Sequence, residues 1–183
     1  MGLWTRLDGF ARPDLTRALE SATIVQGTLM RGTIHLVSRE AYWPFAVGIR
    51  AARRAWAARV STIPSEAELR DRGDALRAAL ASGPRTVAEL GELGKGFVGD
   101  LGYWVDLVRV PPSGTWEHRR ADRLALAETW IGPDDATEAE GVALLVTTYL
   151  RAFGPAPFAD IAAWAGIPVA AAREGATGLD LIQ

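Results

Sequence analysis

The 183-residue chain has no cysteine, which excludes disulfides and thiolate metal sites. It has two histidines, His35 and His118, far apart, so an imidazole-built centre has little to work with. Neither a metal nor a small-molecule cofactor is expected. No apolar run reaches the roughly 18 residues of a membrane span, and no charged leader precedes an apolar core at the start. The expectation is a cytoplasmic protein without a membrane partner. A Gly-Lys-Ser/Thr phosphate loop and a Gly-x-Ser-x-Gly nucleophile elbow are both missing. The clearest carboxylate pairs sit inside helix-start signals, so no complete catalytic set is visible and the catalytic residues stay unknown.

What is present suits a folded protein: with 49% hydrophobic and 23% charged residues, the chain can bury a core as one to three small domains. The net charge of −2 gives no global argument for a polyanion partner. Its distribution is more informative. Arg31, Arg39, Arg50, Arg53, Arg54 and Arg59 are opposed only by Glu40 between 31 and 59, whereas 134–140 carries Asp134, Asp135, Glu138 and Glu140 with no base. Of 20 basic residues only Lys95 is lysine. Arginine's planar fork suits phosphates and base edges, although genomic composition produces the same bias.

Three hydroxyl-to-carboxylate pairs, Ser65 with Glu68, Thr86 with Glu89 and Thr137 with Glu140, have the spacing of capping boxes. The first opens a helix from Glu66 to Ala81, stopped by Gly83-Pro84. The second opens a helix from Val87 to Leu93, and a third helix is expected from Phe97 to Asp106. Leu107–Val110 and Thr115–Arg119, on either side of Pro111-Pro112-Ser113-Gly114, read as a hairpin. Helix, helix, helix, hairpin is the order of a winged helix. After Thr137 the plan repeats, with helices over Val142–Phe153, Phe158–Ala165 and from Pro168 onward. The stretches GPRTVAEL (83–90) and GPAPFADI (154–161) open the second helix of each unit, Pro157 standing where Thr86 stands. Upstream, Pro13–Glu20 reads as a helix, and Ile24-Val25 and Leu29–Val37 as strands.

The expected fold class is mainly α with short β-hairpins (α+β), arranged as tandem winged-helix units. Residues 1–63 would hold the C-terminal part of a first unit plus a basic connecting helix, 64–132 a second unit, and 133–183 an incomplete third. On this plan the chain looks truncated at both ends.

Three constellations could carry chemistry. In Arg31-Gly32-Thr33-Ile34-His35-Leu36-Val37 a period of two sends Ile34 and Leu36 to one face, and Arg31, Thr33 and His35 to the other. That polar stripe suits phosphates or a base; alternatively Arg31 pairs with a carboxylate such as Glu40 and His35 holds a backbone carbonyl. On a helix starting near Ser38, Ile49, Ala52, Trp56 and Val60 share the apolar side, Arg50 and Arg54 the opposite one, with Arg53 at its edge. This stripe is either a phosphate-contacting face or a solvated one. Arg119, Arg120 and Arg123, at the end of the wing, either reach a duplex or join a surface network with Glu117 and Asp122.

The combination of MRGTIHLVS (30–38), LWTRL (3–7), LVRVPPSGTWEHRRADRLALAETW (107–130) and the 154–168 stretch resembles a bacterial family. That family is the winged-helix DNA-binding-domain proteins that include DNA glycosylases acting on bulky alkylation damage and interstrand crosslinks. The resemblance covers nearly the whole chain. It implies a monomer bound to double-stranded DNA, nucleoid-associated, and excision of an alkylated base by hydrolysis of its N-glycosidic bond. It also implies a Gln-x-Gln or Gln-x-Asp motif, upstream of Leu3-Trp4, that positions the water; Gln26-Gly27-Thr28 does not match it. Three functions follow: a shortened DNA-binding relative of the repair enzymes, an active glycosylase whose reading frame opens further upstream, or a winged-helix regulator or protein-interaction module.

Overall fold

A computed structural model describes residues 7–60, 65–97, 101–120 and 122–180. The 3–6 part of the LWTRL motif, Gly99 and the last three residues lie outside them. β-Branched residues shape the first hairpin: β1 (Ile24–Thr28) pairs antiparallel with β2 (Ile34–Ser38), Gly27 facing His35. A helix α1 (Arg12–Glu20) precedes it, and a 22-residue helix, α2 (Arg39–Val60), follows directly. Next come α3 (Glu66–Leu80), β3 (Arg85–Thr86), α4 (Glu92–Phe97), β4 (Leu107–Arg109) and β5 (Arg123–Leu126). The chain continues through α5 (Ala127–Ile131), α6 (Glu138–Phe153), α7 (Phe158–Ala165) and α8 (Val169–Gly175).

The strands form one antiparallel sheet in the order β2-β1-β4-β5-β3. The helix-rich α+β class is therefore the one expected. β1 pairs with β4 through Gln26 opposite Arg109 and Gly27 opposite Val108, so the sheet runs across residue 63. Side chains alternate along β4 and β5 into two cores. Val108 and Ala125 join Val25, Tyr42, Ile49 and Leu145 beneath α2 and α6. Leu107, Leu124 and Leu126 join Leu76, Leu80, Leu101 and Val105 beneath α3. Tyr42, buried at the sheet, donates its hydroxyl to the Leu107 carbonyl at 3.3 Å, and burial raises its pKa far above the phenol's ordinary value.

Several expected elements fall elsewhere. The partner of Leu107–Arg109 is Arg123–Leu126, not Thr115–Arg119, because an apolar Leu-Ala-Leu run can be buried there on both faces. Residues 111–120 instead form a loop tied to itself: Ser113 Oγ accepts from the backbone N–H groups of Asp122 and Arg123 at 2.7 and 3.0 Å, and Gly114 N donates to the His118 carbonyl at 2.7 Å. Thr86 and Glu89 do exchange their two hydrogen bonds, 2.7 and 3.2 Å, but they close a turn rather than a long helix. Arg85 and Thr86 are drawn into the sheet by β5, and Gly91, in the left-handed region at φ 55°, separates that turn from α4. Of the helix expected from Phe97 to Asp106, Phe97 ends α4 and Leu101–Tyr103 forms a 3-10 turn, while 98–100 lie outside the described residues. GPRTVAEL and GPAPFADI thus fold differently: the first is a strand and turn, the second leads into α7 at Phe158 as expected.

Candidate nucleic-acid interface

The arginines of α2 do not form the outward stripe their spacing suggests. Arg53 is only 7% exposed, and Arg50 and Arg54 are half-buried, whereas Trp56 and Val60 of the expected apolar side are 43% and 50% exposed. The cause is Asp106, a buried carboxylate just before β4. It accepts from Arg53 Nη2 at 2.7 Å and Arg50 Nη2 at 3.1 Å, and Arg50 Nη2 also reaches Asp134 at 2.7 Å. Arg53 Nη1 donates to the Thr28 carbonyl at 3.2 Å, and Arg54 lies over the Trp104 ring at 5.3 Å. Burial lowers the pKa of Arg54; at Arg50 burial pulls the same way, but Asp106 and Asp134 more than offset it. The arginines remain cations, and their charge is spent inside the protein on joining α2 to the sheet.

β2 keeps the expected alternation, but its apolar residues are the exposed ones. Ile34 and Leu36 point outward, 53% and 41% exposed, while His35 and Val37 are half-buried on the α2 side of the sheet. The 3-10 turn at Met30–Gly32, where Arg31 and Gly32 take φ of 54° and 71°, keeps both residues out of the strand, so Arg31 does not continue the His35 side of it. Thr33 Oγ1 donates to the Met30 carbonyl at 3.1 Å. His35 Nδ1 donates to the Thr33 carbonyl at 2.9 Å. Arg31 is exposed and does not pair with Glu40.

Arg31 lines a cleft of about 590 Å³ with Trp56, Arg59, Tyr103, Gly166 and Pro168. The floor is apolar, from Leu29 and Ile49. Trp56 meets Tyr103 edge to face with ring centroids 5.0 Å apart. Tyr103 is pinned against the 3-10 turn: a β-carbon on Gly32 would lie 2.5 Å from its hydroxyl. On the other side, α7 ends at Gly166 in the left-handed conformation, and a β-carbon there would stand 3.4 Å from Arg31 Cγ. Arg31 and Arg59 have no ion-pair partner among the described residues. The cleft therefore offers two aromatic rings and two available cations. Sequence periodicity missed Trp56, Arg59 and Tyr103; the one signal that could have found Trp56 is a tryptophan set among arginines near a helix end.

The arginines of the β4–β5 loop line a separate depression with Thr86, Ser113 and His118. Arg119 stacks over Trp116 at 4.6 Å, with Arg12 of α1 against the same ring at 4.4 Å. Arg120 is 90% exposed and 3.5 Å from Asp122, a weak surface pair. Arg123, on β5, is half-buried opposite Thr86. Among the described residues no group of three His, Asp or Glu side chains could hold a metal ion. The residues expected to touch DNA thus fall into three sets: Arg31 at the cleft, with Thr33 and His35 beyond the turn; Arg50 and Arg53 in the salt-bridge network, with Arg54 against Trp104; Arg119, Arg120 and Arg123 at the loop.

The family profile described as "DNA glycosylase AlkZ-like" matches residues 1–181. Among solved structures, Streptomyces sahachiroi DNA glycosylase AlkZ is similar at a TM-score of 0.72 and 17% identity, over 93% of this chain and 51% of that one. At that identity the likeness is one of fold, and the chain spans about half the length of that protein. No curated protein matches the chain.

Proposed function

Because the chain belongs to the DNA glycosylase AlkZ-like family, we propose that it binds double-stranded DNA in DNA repair, through winged-helix units. The family match over residues 1–181 is the observation that carries this reading. Within 66–126, α3, β3, α4, β4 and β5 follow the helix, strand, helix, strand, strand order of a winged helix, which supports taking the 110–122 loop as its wing. Arg119 and Arg120 on that loop, and Arg31 and Arg59 at the cleft, are the exposed cations that would neutralise phosphates. Arg123, Thr33 and His35 would stand behind them. Arg50, Arg53 and Arg54 would act only by holding α2 in place, since carboxylates and Trp104 occupy them.

Excision of an alkylated base is the reaction this family membership suggests. The chain's glutamines are Gln26 and Gln183, and neither opens a Gln-x-Gln or Gln-x-Asp motif, so no residue here is assigned to water activation. The test is fluorescence anisotropy of a labelled duplex across a salt series. Affinity should fall with a log-log slope of about −0.9 per phosphate neutralised. Absence of binding at low salt would sink the proposal. Release of free base from an alkylated duplex, followed by chromatography, decides separately whether the chain excises.

A further inference from the structure

β2 is the outermost strand on its side of the sheet, and nothing in its sequence guards that edge. Strand edges are ordinarily blunted by charged residues, proline, a bulge or shortness, because their open N–H and C=O groups are a template for another strand. The opposite edge follows this rule: β3 has two residues, one of them the exposed Arg85. β2 has five, Ile34-His35-Leu36-Val37-Ser38, with no lysine, arginine, carboxylate or proline among them. The hydrogen bonds at its two ends fix which groups are open. Arg39 N donates to the Thr23 carbonyl and Leu29 N to the Thr33 carbonyl, each at 3.0 Å, so the odd-numbered residues bond toward β1, with His35 opposite Gly27 and Val37 opposite Val25. The N–H and C=O groups of Ile34 and Leu36 therefore point away from the sheet, and their side chains stand 53% and 41% exposed on the face turned from α2.

A strand that satisfies this edge must offer open groups at the same spacing, and β2 itself does. Laid antiparallel against a second β2, Ile34 of each copy stands opposite Leu36 of the other. Both such pairs exchange their N–H···O bonds, and the apolar side chains of both copies lie together on one face. The charges agree with this direction. Arg31 precedes the strand and Glu40 follows it; both are exposed, and neither has an ion-pair partner among the described residues. Antiparallel pairing brings the Arg31 end of each copy to the Glu40 end of the other. We propose that the occupant of the β2 edge is a second copy of this chain, joined about a two-fold axis at His35 into one continuous sheet. This departs from the monomer that the family resemblance implies, and it does not depend on the DNA-binding reading. A five-residue edge buries little area, so the association is of the weak, reversible class.

Sedimentation equilibrium over a series from low to high micromolar concentration tests this: the average mass should climb from one chain toward two. Leu36→Lys, at an exposed position, should weaken association by about tenfold, since it sets two like charges in the seam. Phe153→Lys, which charges an exposed apolar position at the end of α6, should leave it unchanged. Arg31→Glu should weaken association, and Arg31→Glu combined with Glu40→Arg should restore it. A far-ultraviolet circular dichroism spectrum equal to wild type shows that a lost association is not lost folding. Because the chain has no cysteine, His35→Cys gives one thiol per chain at the axis, where facing strands stand close enough for a disulfide. Mild oxidation should then yield a linked pair on a non-reducing gel. The mass of one chain at every concentration of wild type, an association that Leu36→Lys leaves unaltered, or a His35→Cys chain that stays single under oxidation overturns the inference.

Discussion

Gly48 of α2 and Gly141 of α6 meet backbone to backbone: a β-carbon on Gly48 would stand 2.5 Å from the Gly141 carbonyl carbon, and one on Gly141 would stand 2.5 Å from Gly48 N. Neither wall can give, because both are main chain. This crossing is what lets α6 lie on α2 and carry α7 and Gly166 to the cleft. Gly48→Ala and Gly141→Ala are each expected to destabilise the fold by about 1–3 kcal/mol through overpacking, despite alanine's better helix propensity. Thermal melts followed by circular dichroism check this. A melting temperature equal to or above wild type in both variants would contradict the close crossing.

Asp106→Asn leaves Arg53 buried without its counter-charge. Losing one partner of a buried pair is expected to cost about 3–5 kcal/mol in urea unfolding. Replacing both, as Asp106→Leu with Arg53→Met, should recover much of that loss, because two buried charges are then removed together. A double variant no more stable than Asp106→Asn would count against this account of the network.

Arg119 and Arg120 offer a separate check on the duplex reading. Changing both to glutamine should lower affinity for all duplex sequences alike and make the salt slope shallower by about 0.9 for each phosphate no longer neutralised. The fold should be unaffected, since both side chains lie on the surface. An unchanged slope would remove the loop from the interface.

Glu140 and Glu89 each accept from the backbone N–H and hydroxyl of a threonine three residues earlier, and these bonds hold their pKa values below the ordinary glutamate value. A carboxylate with a depressed native pKa stabilises the fold above its unfolded value, and that contribution disappears as pH falls through the native value. Acidification below the ordinary glutamate range should therefore lower the melting temperature of the wild type more than that of a Glu89→Gln, Glu140→Gln double variant. Parallel pH profiles would rule out the two boxes as contributors.

Much of the last third was legible because its signals are local. The Thr137–Glu140 box opens α6, Pro157 starts α7, and Gly166 ends it, each within four residues of the feature it controls. The site was less legible because its determinants are distant in sequence. Arg53 turns inward for a carboxylate 53 positions away, and no helical wheel contains that partner. β2 shows its apolar residues to the outside, which alternation alone does not decide: a period of two separates Ile34 and Leu36 from His35 without saying which side meets α2. The second strand of the β4 hairpin begins later than the Pro111–Gly114 turn signal indicates, because that turn closes a self-bonded loop rather than the hairpin.

β4 is three residues long, and both cores depend on it: Val108 is packed into one and Leu107 into the other. Neither core can lose its packing at this strand without uncovering the other. Amide protons on Val108 and on Leu145 should thus exchange with solvent at one common free energy, that of global unfolding, as should those on Leu76 and Leu80. The chain then unfolds as one cooperative body, whatever number of ancestral units its helices record.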